Sequence, residues 1–325
     1  MCLVNRRLNL IRMASPPPPG VWSPAVTFYN PATGQLDLES QQKYNYYLSK
    51  SGLSGLVILG TNGEAFLLTR EERARLISNA RKAVGPDFSL MASVSAFSTI
   101  QVLEYIDDAY KAGANYALLL PPCYYGKATT PAVISDFFAE VAEKSPLPIV
   151  IYNAPAVCNG IDLDSETITA ITKQANGKTV GVKLTCGSVG KISRLSASLL
   201  PSTFSIFGGQ SDFLVGGLAT GSASCISAFA NVFPKTVVHI YKLFTSGKQQ
   251  EALELQRKAA LAESPCKAGI ASTKFAVAVY SAVEAGVQNA EEKLKPRKPY
   301  AVAPEGVKRN IRELMAGIAE VEASL

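Results

Sequence analysis

Short apolar runs rich in β-branched residues recur along the chain, each bounded by Gly, Pro or Asn. Segments with the periodicity of amphipathic helices separate them, which is the pattern of repeated βα units. The runs stay apolar without alternating, as expected for parallel strands covered on both faces. Eight strands are predicted, near Val21 to Thr27, Gly55 to Gly60, Leu90 to Val94, Tyr116 to Leu120, Ile149 to Asn153, Val180 to Thr185, Phe204 to Gly208 and Cys225 to Phe229.

The helical segments carry start signals of their own. After the second predicted strand, Thr69 and Glu72 have the spacing of a capping box. Eight βα units close naturally into a (β/α)8 TIM barrel, an α/β fold. A doubly wound open sheet is the structural alternative, because βα alternation alone does not distinguish the two. The strand count favours the barrel, and no GxGxxG or GxxxxGK[ST] motif follows an early strand.

The chain is predicted to extend beyond the barrel at both ends. We assign residues 21–245 to the barrel, residues 246–325 to a C-terminal helical appendage, and residues 1–20 to a flexible N-terminal segment that ends in SPPPPG. The appendage is inferred because the helical patterns after the eighth strand exceed what one barrel unit needs. They cover Lys235 to Thr245, Gln249 to Ala262, Ser272 to Ala285 and Glu305 to Glu322.

Composition excludes several classes of protein. The net charge of +6 is spread over 325 residues without a long basic block, which suits anionic small molecules better than nucleic acid. No apolar run approaches the roughly 20 residues that span a bilayer, so a membrane protein is not expected. The six cysteines are widely spaced, as reduced thiols usually are. His239 is the only histidine, which excludes any site with several histidine ligands and argues against Ser-His-Asp and Cys-His catalysis.

The first residues allow two interpretations of the protein's location. The stretch MCLVNRRLNLIRMAS contains Arg6, Arg7 and Arg12, and no acidic residue precedes Asp37. This composition is compatible with a mitochondrial transit peptide. The plainer interpretation is a disordered tail, so a cytoplasmic location is expected and a mitochondrial one is the alternative.

Lys183 is the first candidate for catalysis. It lies inside an apolar strand between Val182 and Leu184, whereas lysine is normally found at the surface. Burial favours the neutral form of an amine, which is the form that attacks a ketone. The alternative is a lysine at the strand end that reaches solvent or pairs with a buried acid.

Two further candidates lie where catalytic groups of a barrel are found, at the C-terminal ends of strands. Tyr152 ends the PIVIYNAP strand, where a phenol can transfer a proton, although such tyrosines are more often packing residues. The GTNGE turn, residues 60–64, could bind a carboxylate through its N–H groups and the Thr61 hydroxyl. Its plainer interpretation is a βα turn whose glycines supply positive φ. Glu64 is not assigned a catalytic role.

Taken together, these motifs resemble the dihydrodipicolinate synthase and N-acetylneuraminate lyase superfamily of class I aldolases. GTNGE, the tyrosine of YNAP and the lysine of GVK occur in the order and approximate spacing of that family. PPCYY, GGQSD and ISAFANV also match it, and the similarity runs from about Gly20 to Glu322.

The resemblance implies a role for each matching residue. Lys183 corresponds to the Schiff-base lysine and Tyr152 to the proton-transfer residue. The turn at Thr61 and Asn62 would bind the carboxylate of a 2-oxo acid. The family's chemistry requires neither a metal nor an organic cofactor.

The remaining implied residues concern the pocket wall and the assembly. Tyr124 or Tyr125 matches a tyrosine that completes the proton relay of a neighbouring subunit, and the PCYY spelling leaves the choice open. Such a relay requires at least a dimer, and the family implies a homotetramer of two tight dimers. Gly209 and Ile226 would line the pocket.

The implied reaction is cleavage of a 4-hydroxy-2-oxo acid to pyruvate and an aldehyde. Residues 156–160 read AVCNG, without the arginine that the synthase branch places there for its second substrate, so synthase-type condensation is disfavoured. The motif spellings look closer to aldolases for 4-hydroxy-2-oxoglutarate and 2-keto-3-deoxy sugar acids. Thr185 and Ser188 could favour a polyhydroxy substrate. An imine-based dehydratase or decarboxylase, and a non-catalytic barrel that binds an oxo acid, remain alternatives.

Overall fold

The structure, a computed structural model, describes residues 14–325 and contains a closed sheet of eight parallel strands. The strands are β1 (Trp22–Pro24), β2 (Gly55–Ile58), β3 (Ser89–Ser93), β4 (Tyr116–Leu119), β5 (Ile149–Asn153), β6 (Thr179–Leu184), β7 (Ser205–Gly208) and β8 (Ser224–Cys225). They pair in chain order, and a parallel bridge between Trp22 and Ile226 joins the last strand to the first. The predicted (β/α)8 TIM barrel is confirmed, and the open sheet is excluded.

The first and last strands are shorter than predicted. β1 ends at Pro24, and β8 comprises only Ser224 and Cys225. The predicted eighth strand extended to Phe229, which instead begins a short helix. Both runs remain buried beyond the strand end, because the chain there packs into the barrel mouth. Apolar character alone cannot separate a buried strand from the buried loop that follows it.

Helices surround the barrel and continue beyond it. They are α1 (Leu38–Lys50), α2 (Arg70–Val84), α3 (Thr99–Lys111), α4 (Pro131–Lys144), α5 (Ser165–Gln174), α6 (Val189–Ser198), α7 (Leu214–Ala219), α8 (Phe229–Val232), α9 (Pro234–Thr245), α10 (Gln249–Glu263), α11 (Ile270–Val279), α12 (Ser281–Glu284), α13 (Ala290–Lys293) and α14 (Glu305–Ser324). Short 3-10 turns cover Thr61–Gly63, Ala65–Leu67, Gly126–Ala128, Pro155–Val157 and Ser264–Ala268. None of the helices within residues 14–325 is long and apolar enough to cross a membrane.

Local sequence signals set several helix ends. The predicted capping box is confirmed, since the Glu72 N–H donates to Thr69 Oγ1 over 3.3 Å and the Thr69 N–H donates to Glu72 Oε2 over 3.0 Å. The helix predicted from Ser272 to Ala285 is in fact two helices. Tyr280 separates them with φ −110° and ψ −81°, outside the helical region.

The proline segment at residues 14–20 packs against the N-terminal end of the barrel. Four consecutive carbonyls accept hydrogen bonds, Pro16 from Tyr116 (3.2 Å), Pro17 from Ser205 (2.7 Å), Pro18 from Trp22 (3.1 Å) and Pro19 from Ser54 (2.9 Å). This differs from the flexible lead-in that the prolines predict. Proline lacks an N–H but keeps its carbonyl, and the sequence does not show which side chains donate to it. Residues 1–13, with the arginines of the transit-peptide hypothesis, lie outside the described residues.

A buried ion pair ties the C-terminal helices to the loop after β2. Lys274 Nζ lies 2.5 Å from Glu64 Oε2, and both side chains are fully buried. Glu64 Oε1 also accepts a hydrogen bond from the Arg297 N–H over 2.7 Å. The ring of Tyr29 lies 4.6 Å from the Lys274 ammonium and 4.6 Å from the Arg297 guanidinium. Burial lowers the pKa of Lys274, and the Glu64 charge partly offsets that effect.

Replacing Lys274 with methionine should destabilise the fold strongly. The Glu64 carboxylate would lose the cation that compensates it inside the protein, and removing one partner of a buried pair costs about 3–5 kcal/mol. Chemical denaturation of Lys274→Met measures the loss.

The matched control is the double variant Glu64→Gln/Lys274→Met, which leaves no uncompensated charge. It should recover much of the loss. A single variant as stable as the wild type would show that the pair does not hold the C-terminal helices in place.

Candidate active site

A pocket opens at the C-terminal ends of the barrel strands. It is lined by residues of β5 and β6, of the loops after β2, β5, β6, β7 and β8, and of the α10–α11 junction. They are Thr61, Asn62, Tyr152, Ala154, Ala156, Val157, Lys183, Thr185, Gly209, Gln210, Ala228, Glu263, Cys266, Lys267, Gly269 and Ile270. The pocket therefore combines five predicted site residues with others that the sequence did not indicate.

Lys183 lies inside the barrel next to Tyr152. The two residues are partners in the register of β5 and β6, and each is 4% exposed. Lys183 Nζ lies 4.4 Å from the centroid of the Tyr152 ring. The neighbouring Val182 and Leu184 belong to the outer cluster between strands and helices. Strand alternation therefore directs the lysine inward, and it is not part of a buried ion pair within residues 14–325.

Tyr152 is held in a position suited to proton transfer. Its hydroxyl lies 3.3 Å from Thr61 Oγ1 across the barrel mouth. Burial by itself raises the pKa of the phenol, but the positive charge of Lys183 and the Thr61 hydrogen bond outweigh burial, so the pKa lies below its usual value. A lowered pKa increases the fraction of Tyr152 that is phenolate at neutral pH.

The turn after β2 presents backbone donors to the pocket. Thr61 and Asn62 open a 3-10 turn whose first hydrogen bond runs from the Gly63 N–H to the Gly60 carbonyl over 2.9 Å. The N–H groups of the first two residues precede that bond, so they are available to an anion. The glycines do not supply the positive φ of this segment. Leu59 and Glu64 do, at 65° and 57°.

Gly209 and Ile226, the two residues predicted to line the pocket, lie in different places. Gly209 lines the pocket, and a Cβ placed there would lie 2.3 Å from Thr185 Oγ1 and 2.5 Å from Thr185 Cα. Ile226 is fully buried in the cluster that fills the barrel interior, and it is not among the lining residues.

Tyr124 and Tyr125 lie outside the pocket of their own chain. They are 73% and 51% exposed. The Tyr125 hydroxyl donates to the Phe97 carbonyl over 2.9 Å, and the Tyr124 ring lies 5.2 Å from the Phe97 ring. A single chain therefore does not bring either tyrosine to Lys183.

Glu263 is a pocket residue that sequence reasoning missed. It ends α10 and is 2% exposed. It accepts hydrogen bonds from Ser211 and from Ser227, which follow β7 and β8. Burial raises its pKa to about 7. An acid at the end of an amphipathic helix is usually solvated, so no local signal marks this one.

Within residues 14–325, no group of three or more His, Cys, Asp or Glu side chains is placed to hold a metal ion. The chemistry available at the pocket is that of a buried amine, a phenol, backbone N–H donors and a buried carboxyl group.

Comparison with known proteins gives consistent matches over almost the whole chain. The model of the dihydrodipicolinate synthetase family matches residues 17–316. A Coccidioides immitis protein named "Putative 4-hydroxy-2-oxoglutarate aldolase, mitochondrial" is 65% identical, over 95% of this chain and 98% of its own. The L-threo-3-deoxy-hexylosonate aldolase of Aspergillus niger is 36% identical, over 94% and 97%. A crystal structure of a dihydrodipicolinate synthase family protein from Coccidioides immitis has TM-score 0.90 and 61% identity, over 95% and 98%.

Gly209→Ala should destabilise the protein by about 1–3 kcal/mol, the usual cost of an added methyl group in a packed site. The new Cβ would overlap the backbone of Thr185, which cannot rotate away. Denaturant unfolding measures the change. Gly216→Ala in α7 is the matched control, since its Cβ meets only Val189 Cγ2 at 3.8 Å. Equal stability of the two variants would contradict the close approach.

Proposed function

Since the chain belongs to the dihydrodipicolinate synthetase family, we propose that it is a class I aldolase that cleaves a 4-hydroxy-2-oxo acid to pyruvate and an aldehyde. The observation that carries the proposal is the Lys183 amine, buried in the barrel mouth 4.4 Å from the Tyr152 ring. The Tyr152 hydroxyl is in turn within hydrogen-bond reach of Thr61.

The first half of the reaction forms an imine. The carboxylate of the 2-oxo acid binds the turn at Thr61 and Asn62, which places C2 at Lys183. The amine attacks the C2 carbonyl to give a carbinolamine, and loss of water yields a cationic iminium on Lys183. Tyr152 carries the protons between the carbinolamine oxygen and nitrogen.

The second half breaks the bond between C3 and C4. Tyr152 accepts the proton of the 4-hydroxyl, the aldehyde leaves, and the electron pair of the broken bond moves to the iminium to form an enamine. A proton then adds to C3, and water hydrolyses the resulting imine. Pyruvate is released, and the Lys183 amine is regenerated.

The loop after β5 supports an aldolase over a synthase-type condensation. Ala156 and Val157 line the pocket there, and residues 154–160 contain no arginine. A second anionic substrate therefore lacks a bidentate partner at this loop. Lys183 and Tyr152 together in one pocket support catalysis over an oxo-acid-binding barrel without turnover.

We propose that the active form is at least a dimer, with Tyr124 entering the site of the neighbouring subunit. The exposed aromatic patch of Phe66, Phe97, Tyr124 and Tyr125 supports this, since its rings are 5.2–6.0 Å apart and all four residues are at least 46% exposed. Large exposed apolar patches typically mark interfaces. Tyr124 is favoured because Tyr125 already donates its hydroxyl to Phe97 within its own chain.

We also propose a mitochondrial location. The name of the Coccidioides immitis relative includes the word mitochondrial, and residues 1–12 are basic without an acidic residue. These two observations favour a mitochondrial location over the cytoplasmic location expected from the sequence alone.

Incubation with pyruvate and borohydride should leave a reduced pyruvyl adduct on Lys183. Peptide mass spectrometry locates the adduct, because reduction makes the imine permanent. Lys183→Ala should abolish the adduct and lower kcat by at least about a thousandfold.

The control for that experiment is Lys191→Ala, a second buried lysine that is paired with Asp162. A folded Lys191→Ala protein should still form the adduct. No adduct on folded wild-type protein would refute the Schiff-base mechanism.

Co-expression of Lys183→Ala with Tyr124→Phe should restore activity that neither variant has alone. If the tyrosine acts across the interface, a mixed dimer contains one site with an intact Lys183 and an intact Tyr124. Half of randomly assembled dimers are mixed, so about a quarter of the wild-type rate is expected. Tyr125→Phe is the matched control and should be active by itself. Absence of restoration from verified mixed dimers would contradict the shared site.

A further inference from the structure

One wall of the pocket carries a carboxyl group that the reaction above does not use. Glu263 Oε2 accepts a hydrogen bond from Ser211 Oγ over 2.6 Å. Its Oε1 accepts from the Ser211 N–H over 3.2 Å and from Ser227 Oγ over 3.3 Å. A carboxylate has about four acceptor positions, so the three donors leave room for one more.

The charge of this wall is unfavourable for a second anion. Lys267 is the cation there, and its ammonium is already bonded to Asp212. Its positive charge is therefore compensated, which leaves the ionised Glu263 as the uncompensated charge. A substrate carboxylate placed against this wall would meet the like charge of Glu263, a residue that is only 2% exposed, so solvent screens the repulsion weakly.

The same wall can bind hydroxyl groups. Thr185 lines the pocket beside Tyr152, and its hydroxyl is one of the groups that lower the pKa of that phenol. Gln210 also lines this part of the pocket. The pocket residues that follow β5 are Ala154, Ala156 and Val157, which offer no polar side chain. A polar substrate tail therefore finds its partners on the Glu263 side.

On the premise of the proposed aldolase function, we propose that Glu263 is a specificity-determining residue that selects 2-keto-3-deoxy sugar acids over 4-hydroxy-2-oxoglutarate. The two substrates share the C1 carboxylate, the C2 carbonyl and the 4-hydroxyl, so both react with Lys183 and Tyr152 in the same way. They differ at C5, which bears a hydroxyl group in the sugar acid and is a carboxylate in 4-hydroxy-2-oxoglutarate. Glu263 accepts a hydrogen bond from the hydroxyl group and repels the carboxylate.

The selection should depend on pH because Glu263 titrates in the neutral range. Burial raises the pKa of Glu263 to about 7; the Ser211 hydrogen bond and Lys267 act to lower it, and Asp212 acts to raise it. The thiols of Cys225 and Cys266 also face it, and burial raises the pKa of both, so they stay neutral. Glu263 is protonated below its pKa and charged above it, so discrimination against the dicarboxylate should grow as the pH rises.

The experiment compares kcat/KM for pyruvate release from L-threo-3-deoxy-hexylosonate and from 4-hydroxy-2-oxoglutarate, using the full chain at about pH 6 and about pH 8. Titration of Lys183 and Tyr152 cancels in the ratio, since both substrates use them. The wild type should prefer the sugar acid, and the preference should rise towards about tenfold at the higher pH. Glu263→Gln should lower the ratio by about tenfold at the higher pH and remove its pH dependence. Glu254→Gln, an exposed change on the same helix, should behave as the wild type.

A wild-type preference for 4-hydroxy-2-oxoglutarate, or a ratio unchanged by both pH and Glu263→Gln, would overturn the assignment. If Glu263→Gln does not fold, the pH dependence of the wild-type kcat/KM ratio tests the assignment by itself. If neither acid is cleaved, the concentration dependence of borohydride trapping of each acid on Lys183 gives the same comparison. Failure of the proposed function itself is distinct, because pyruvate then leaves no adduct on Lys183.

Discussion

The buried contact between Glu64 and Lys274 is the interaction on which the site depends. Glu64 immediately follows the Thr61–Gly63 turn, and Lys274 lies on α11, the helix that begins with the pocket residue Ile270. The ion pair therefore fixes the Thr61–Gly63 turn and the C-terminal wall of the pocket relative to each other. A buried charge tolerates little displacement from its partner, because the attraction must offset the cost of removing both groups from water.

The cost of burying a charged group also bears on the chemistry of the barrel mouth. A lysine inside a sheet is costly, and Lys183 is tolerated because it faces the mouth beside the Tyr152 ring instead of packing among the helices. Its charge also lowers the pKa of Tyr152 against the opposing effect of burial. One feature, an inward-facing lysine on β6, thus lowers the pKa of Tyr152 when it is charged and is the nucleophile of the proposed reaction when it is neutral.

The pocket divides into two parts of different origin. The Lys183 amine, the Tyr152 phenol and the Thr61–Gly63 turn belong to strand ends and βα loops, where the barrel backbone holds them rigidly. Another wall of the pocket comes from the α10–α11 junction, through Glu263, Lys267 and Ile270. For the proposed reaction, the reacting groups belong to the barrel, so selectivity can change through the C-terminal helices without moving those groups.

The sequence by itself determined the order of strands and helices, the capping box at Thr69, and the strand that holds Lys183, because periodicity and capping act over a few residues. It also placed Tyr152 and the Thr61 turn at the barrel mouth, since parallel strands of a closed barrel end on one side. Tertiary structure alone decided that Glu64 meets Lys274, 210 residues away, and that Glu263 meets Ser211, 52 residues away. Such contacts depend on how the helices pack across the barrel mouth. The pattern of apolar and polar residues along a helix does not show which buried partner a charged residue will contact.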